Sequence, residues 1–387
     1  MAKTSADRIG AIAGDLATVE EMYALKGLMA SLGSQNIDCR QDGAPLDPAN
    51  GREGYIFNPT IEGIEKADAL LIIGSNPRFE APVLNARIRK RWRMGNFPIG
   101  VIGEAGDLRY EYERLGAGAD SLNELVSGRG KFLSVLKKAE RPMIILGQGA
   151  LARLDGATVL GLAAKLAQNI GAVTAGWNGF AVLHTAASRV GGLDLGFVPG
   201  KGAKNIAGIL GGGVDVLFLL GADELPMERI GPAFTVYIGT HGDAGAHRAD
   251  VILPGAAYTE KSGTFVNTEG RVQMTNRAGF APGEAKEDWA ILRALSETLG
   301  KKLPFDSLSQ LRAKLYAEHP HFAASDQIAT ADASTLGRLH AAGGELDAAP
   351  FASPVKDFYL TNPIARASAT MAECSALARG GFKQAAE

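Results

Sequence analysis

The densest run of side chains that could act together lies between Asp250 and Gln273. Glu260, Asn267, Glu269, Arg271 and Gln273 fall within one short segment there, punctuated by Gly263 and Gly270. Carboxylates, carboxamides and a guanidinium at such spacing can grip a polar ligand or hydrogen-bond one another, and a self-satisfied polar loop is the ordinary outcome. Two further places share a pattern. Asp68-Ala-Leu-Leu-Ile-Ile-Gly74-Ser-Asn76 is echoed by Asp215-Val-Leu-Phe-Leu-Leu-Gly221-Ala-Asp223, with the same Asp-to-Gly spacing and a polar side chain two residues past the glycine. Open α/β sheets receive ligands at turns of this kind, at the carboxyl ends of their strands, because glycine lets the backbone approach and the turn amides face outward. Candidate cofactor-binding residues are therefore Gly74, Asn76, Gly221, Asp223, Glu260, Asn267 and Arg271. Asn76 and Asp223 would accept hydrogen bonds from a base or ribose, and Arg271 would contact a phosphate or organise the loop. Plain strand-to-helix turns would look the same; the recurrence implies two related lobes.

Other chemistry finds little purchase. His241 and His247 lie six apart in a loop without nearby cysteines, and His319 and His321 flank Pro320, so both pairs read as structural or solvated and no metal site is assigned. Cys39 and Cys374 are the two cysteines, far apart and in no C-x-x-C arrangement, which leaves a disulfide framework or an iron–sulfur cluster without ligands. No G-x-S-x-G elbow, phosphate-binding P-loop or G-x-G-x-x-G turn occurs. Gly211-Gly212-Gly213 precedes a strand, and Gly147-Gln148-Gly149 lacks the third glycine of a dinucleotide turn. No catalytic residue is assigned.

The elements that would position these residues are short apolar runs stopped by glycine or proline at 8–14, 69–74, 99–103, 143–147, 216–221, 235–239 and 251–253, which read as buried parallel strands. Helical patterns lie between them. The first is punctuated by Thr18 and Glu21 as a capping box and by Gly33 beyond its end; others fall near 80–95, 154–170, 284–299 and 307–318. Strands alternating with helices predict an α/β chain of two doubly wound parallel-sheet lobes, at residues 1–138 and 139–302, the second carrying the polar loop 254–283, followed by an irregular C-terminal extension at 303–387 with an extended arm over 352–364. A formal net charge of −2 gives no footprint for nucleic acid, and no run of about 18 apolar residues suits a membrane span. The N-terminus has no apolar signal core, so a cytoplasmic location is expected.

The segment ADVILPGAAYTEKSGTFVNTEGRVQ resembles the hallmark of the molybdopterin oxidoreductases, the formate dehydrogenase and DMSO reductase type, and KADALLIIGSNPRFEAPVLNARIRK and VDVLFLLGADELP resemble the two strand-turn elements that receive the ends of the pterin cofactor there. Within that superfamily, GAIAGDLATVEEMYALKGLMASLGSQNIDCRQDG and NTEGRVQMTNRAGFAPGEAKEDWAILRALSETLG look like the C-terminal region of the 75 kDa subunit of NADH-quinone oxidoreductase, respiratory complex I. The resemblance implies a chain that lacks the cluster-binding region of that subunit, whose whole form carries 2Fe-2S and 4Fe-4S clusters on the path from NADH to quinone. It implies no cofactor in this fragment, a structural role among the other peripheral-arm subunits, and a peripheral place on the cytoplasmic side of the inner membrane. In catalytic relatives a side chain near the position of Cys39 ligates the metal; here Cys39 is expected to be a buried free thiol, with molybdopterin not expected. The alternatives are an active molybdopterin-dependent oxidoreductase and a guanine-nucleotide-binding remnant.

Overall fold

The computed structural model describes residues 4–329, 331–341 and 343–380. Twelve strands are used below: β1 (Ile9–Ala13), β2 (Ile37–Asp38), β3 (Ala69–Ile73), β4 (Ile99–Ile102), β5 (Glu113–Gly116), β6 (Pro142–Leu146), β7 (Phe180–Val182), β8 (Val216–Leu220), β9 (Phe234–Gly239), β10 (Val251–Pro254), β11 (Gly263–Val266) and β12 (Val272–Thr275). Ten form two all-parallel five-stranded sheets. The first has the order β10-β9-β8-β1-β2 and the second β5-β4-β3-β6-β7. Central strands such as β3 and β8 are buried along their whole length, as uniformly apolar sequences require when helices cover both faces of a sheet.

Helix α1 (Val19–Ser31) starts at the expected capping box, in which the Thr18 hydroxyl accepts from the Glu21 amide and the Glu21 carboxylate accepts from the Thr18 amide. Its apolar face, Met22, Leu25, Leu28 and Met29, is sealed from solvent. Helix α2 (Pro82–Arg93) packs on one face of the second sheet. The helices α3 (Ala119–Val126), α4 (Lys131–Lys138) and α5 (Gly156–Asn169) pack on the other. Next come α6 (Asp288–Thr298), α7 (Leu308–Glu318) with Ser307 as its N-cap, and α8 (Ala369–Gly380). No described helix is long and apolar enough to cross a membrane.

Both sheets are doubly wound, as expected, but the lobes do not follow one another along the chain. β1 pairs with β8 and β3 pairs with β6, so the first lobe is assembled from the N-terminal segment and the stretch after 183, and the second is inserted between them. A cut at residues 138 and 139 would separate β6 from β3 in the middle of one sheet. The internal repeat accounts for this layout. If Asp68 and Asp215 each open a unit, the second sheet runs β3, β4, β5, β6, β7 in chain order, and the first runs β8, β9, β10 and is completed by β1 and β2 from the other end of the chain, in an identical spatial order. The two aspartates also do similar work: Asp68 accepts from the amides of Glu140 and Arg141 just before β6, and Asp215 pairs with Arg8 just before β1. One apolar cluster includes residues of both sheets, among them Ala13, Val216, Leu71 and Ile144, so the lobes share a core.

Candidate functional site

The repeated turns bring the carboxyl ends of the two sheets to a common cleft. Gly74 and Gly221 both have φ of +58°, a left-handed conformation that glycine adopts without strain. At Gly74 space forbids a side chain as well, because a Cβ would stand 2.4 Å from the Cβ of Ala150. Beyond these glycines the two turns differ. The Glu80 carboxylate closes the first, accepting from the Asn76 amide at 2.8 Å and the Ser75 hydroxyl at 2.6 Å, and Asn76 Oδ1 is buried without a hydrogen-bond partner. In the second, Asp223 is buried and already engaged, accepting from the Tyr237 hydroxyl at 3.0 Å and from the Gly245 amide. The acceptor expected at Asp223 thus serves protein donors.

Glu260, Asn267 and Arg271 do not converge on these turns. Glu260 accepts from the amide of Ala257 in a local turn. Strands β11 and β12 form an antiparallel hairpin whose tip is wound around Asn267, with its Oδ1 accepting from the amides of Glu269 (3.1 Å) and Arg271 (2.9 Å). Glu269 accepts from the amide of Ile61 at 2.8 Å, and the Phe57 amide donates to the Thr268 carbonyl at 2.7 Å, so the tip is tied to the second lobe. At the base of the hairpin, Thr264 donates its amide and hydroxyl to Glu20 of α1. Arg271 donates to Glu269 and to the Asp326 carbonyl, acting as an organiser of the loop. The most polar segment of the chain is therefore a staple between lobes. Its stem is held by Lys261, which is buried between Glu21 of α1 and Asp288 of α6 at 2.5 and 2.8 Å.

Several groups in the cleft lie outside the motifs singled out above. Asp15 follows β1 through Gly14 as Gln148 follows β6 through Gly147, and Asp15 Oδ1 and Gln148 Oε1 are both buried without partners, as is Oε1 of Gln41. Extending the internal repeat from β3 and β8 to their neighbours β6 and β1 would have found the first two. Arg189 is buried, with Nη1 3.1 Å from Asp42 and Nε donating to the Cys39 carbonyl at 3.2 Å. His184 meets the Tyr55 carbonyl through Nε2 at 2.5 Å, its Nδ1 has no partner, and burial together with the Arg189 charge pushes its pKa down to about 4, so the ring is neutral. Cys39 is fully buried against Gly192 and burial pushes its thiol up to about 12. His241 and His247 are exposed and bonded locally, and among the described residues no group of three or more His, Cys, Asp or Glu side chains is arranged to hold a metal ion.

The C-terminal arm lies across both turns. Arg153 donates to the carbonyls of Asp347, Ala349 and Pro350, and the Phe351 ring is buried beside it. Ser353 donates to Glu80 at 2.7 Å, at the first turn. The chain then crosses a cleft of about 580 Å³, roofing it with residues 354–361, and reaches the second turn, where Pro363 and Ile364 line the small hollow of about 40 Å³ beside Gly221. There Arg366 pairs with Glu224 at 2.9 Å and with Asp243. A residue range expected to be extended is in fact pinned at both ends.

Comparison with known families places this architecture. Residues 1–298 match the model of the molybdopterin oxidoreductase family, and residues 324–374 match that of the C-terminal region of the G-type (75 kDa) chain of NADH-ubiquinone oxidoreductase. The chain is 42% identical over 372 residues to the mitochondrial NADH dehydrogenase [ubiquinone] iron-sulfur protein 1 of Solanum tuberosum, covering 96% of this chain and 49% of the relative. It is 41% identical over 387 residues to the NADH-ubiquinone oxidoreductase 75 kDa subunit of Reclinomonas americana, covering 96% of this chain and 56% of the relative. The chain spans about half the length of the curated relatives it matches. Among solved structures, a formyltransferase/hydrolase complex from Methylorubrum extorquens superposes with a TM-score of 0.54 at 18% identity, over 82% of this chain and 93% of that one, which shows a shared fold.

Proposed function

Because the chain belongs to the molybdopterin oxidoreductase family and carries the C-terminal module of the 75 kDa subunit, we propose that it is a cofactor-free structural part of the peripheral arm of NADH-quinone oxidoreductase. In the whole complex, electrons would pass from NADH to quinone through iron–sulfur clusters held outside this chain, on the cytoplasmic side of the inner membrane. The observation that carries the reading is the arm. Residues 351–366 bind both turns at which a long, two-ended cofactor would be held.

Three further features support it. Asp223 is committed to Tyr237 and Gly245, the cleft wall presents carboxylates at Asp15, Asp42 and Glu224 where an anionic diphosphate would need donors, and the Cys39 thiol is buried and protonated at neutral pH, unlike a metal-ligating thiolate. These residues do not fit a pterin dinucleotide. The test is metal and pterin analysis of the chain purified after expression with added molybdate or tungstate. The expected result is substoichiometric metal and no released pterin; one equivalent of either would overturn the proposal.

A further inference from the structure

The cleft beneath the arm has a chemical character of its own. Its floor is built by the first residues past β1 and β2, namely Asp15, Gln41 and Asp42, facing Glu224 from the second turn. Gln41 is 7% exposed and donates its amide to Glu224 at 3.0 Å, which turns its Oε1 toward the cleft with no donor to meet it. Asp15 Oδ1 beside it is likewise buried and without a partner. Two acceptors left bare in one place call for a donor-rich guest, since a buried oxygen without a hydrogen bond costs about 1–3 kcal/mol.

Charge points the same way. Asp15, Asp42, Glu224 and Asp243 are faced by two guanidiniums, Arg189 and Arg366, so with all groups ionised two negative charges stay uncompensated. Both guanidiniums are already committed, Arg189 to Asp42 and the Cys39 carbonyl and Arg366 to Glu224 and Asp243. The remaining cation of the wall, Lys356, sits exposed on the arm. A neutral guest could satisfy Gln41 but not the Asp15 charge, and an anion would meet carboxylates. Above this floor the roof supplies apolar surface from Val355, Phe358 and Leu360.

The geometry points to a binding site for a small organic ammonium, its charged nitrogen donating to Asp15 Oδ1 and Gln41 Oε1 and its carbon chain lying under the arm. An alkylammonium keeps its proton at neutral pH, with a pKa near that of lysine, about 10.4, and offers three donors. The site is independent of the cofactor-free reading: an ammonium could bind whether or not the chain serves in a respiratory complex.

Calorimetric titration of the full chain at pH 8 with 1,4-diaminobutane, beside butane-1,4-diol as the neutral isostere and magnesium chloride at matched ionic strength, tests this. The expected result is saturable one-to-one binding of the diamine alone, weakened at least tenfold by Asp15→Asn and by Gln41→Met, and unchanged by Asp107→Asn on the exposed surface. Both site variants are close in shape to the residues they replace, and a thermal unfolding scan verifies that each is folded. Absence of saturable heat, equal affinity in either site variant, or equal binding of magnesium would each overturn the proposal.

Discussion

Asp15 is a carboxyl that the fold holds in an unfavourable place. Burial pushes its pKa up to about 7, Glu224 and Asp42 add to the shift, and Arg189 opposes it. The folded chain therefore binds this proton more tightly than the unfolded chain, in which an aspartate titrates near about 3.9. The sign follows from linkage: stability attributable to this group is greatest below the unfolded value, falls as pH rises from about 4 to about 7, and is constant above. Asp15→Asn removes the penalty. Urea unfolding should find the variant more stable than the parent at pH 8, by at most about 4 kcal/mol for a shift of about three units, and nearly equal to it at pH 4. An identical difference at both values would show that the carboxyl ionises freely in the folded state. The same residue marks what single side chains did and did not disclose. Asp223 was recognisable as a polar group past a repeated strand, but its partners Tyr237 and Gly245 lie on another strand and a following turn, and nothing local to position 223 names them. Arg366 could not be read at all, because its two carboxylates are more than a hundred residues away in sequence.

At the scale of elements, strands and helices were largely legible and their neighbours were not. The seven apolar runs expected as strands are all strands, and α1 begins at the Thr18 and Glu21 box that its sequence spells out. The omitted strands are short or solvent-facing: β2 has two residues, and β5, Glu113–Gly116, has no fully buried position to produce a pattern. Which strand lies beside which is set by packing between lobes, so an N-terminal strand could be assigned to the wrong sheet. The hairpin from β11 to β12 shows how a segment can look like a ligand site and be a staple, since its polar residues answer one another and the backbone of both lobes. Its stem depends on Lys261, which separates Glu21 from Asp288. Lys261→Met would leave two buried carboxyls facing each other and should lower stability by about 3–5 kcal/mol, the usual cost of breaking a buried ion pair from one side. Adding Asp288→Asn should recover part of the loss. A urea midpoint unmoved by Lys261→Met would mean that the cluster is solvated and contributes little.

For the whole molecule the question is how the two lobes and the arm share cooperativity. The lobes hold a common apolar core and a hairpin staple, so they should unfold together whether or not the arm is present. The arm is tied at two separated places, through Arg153 and Phe351 beside the second sheet and through Arg366 beside the first. Truncating the buried Phe351 to alanine has an ordinary cost of about 3–5 kcal/mol. An arm that can detach sets a ceiling on that loss, because once docking costs more than it returns the arm leaves and further damage to it has no effect on the lobes. Removal of residues 347–387 therefore defines the plateau. Phe351→Ala and Arg366→Ala should each fall short of the destabilisation caused by the truncation, and the double variant should approach it without passing it, as measured by urea unfolding. A loss from Phe351→Ala larger than that of the truncation would sink this account. It would place the Phe351 ring in the shared core as a support that the lobes cannot lose, and the arm would then be part of the fold itself.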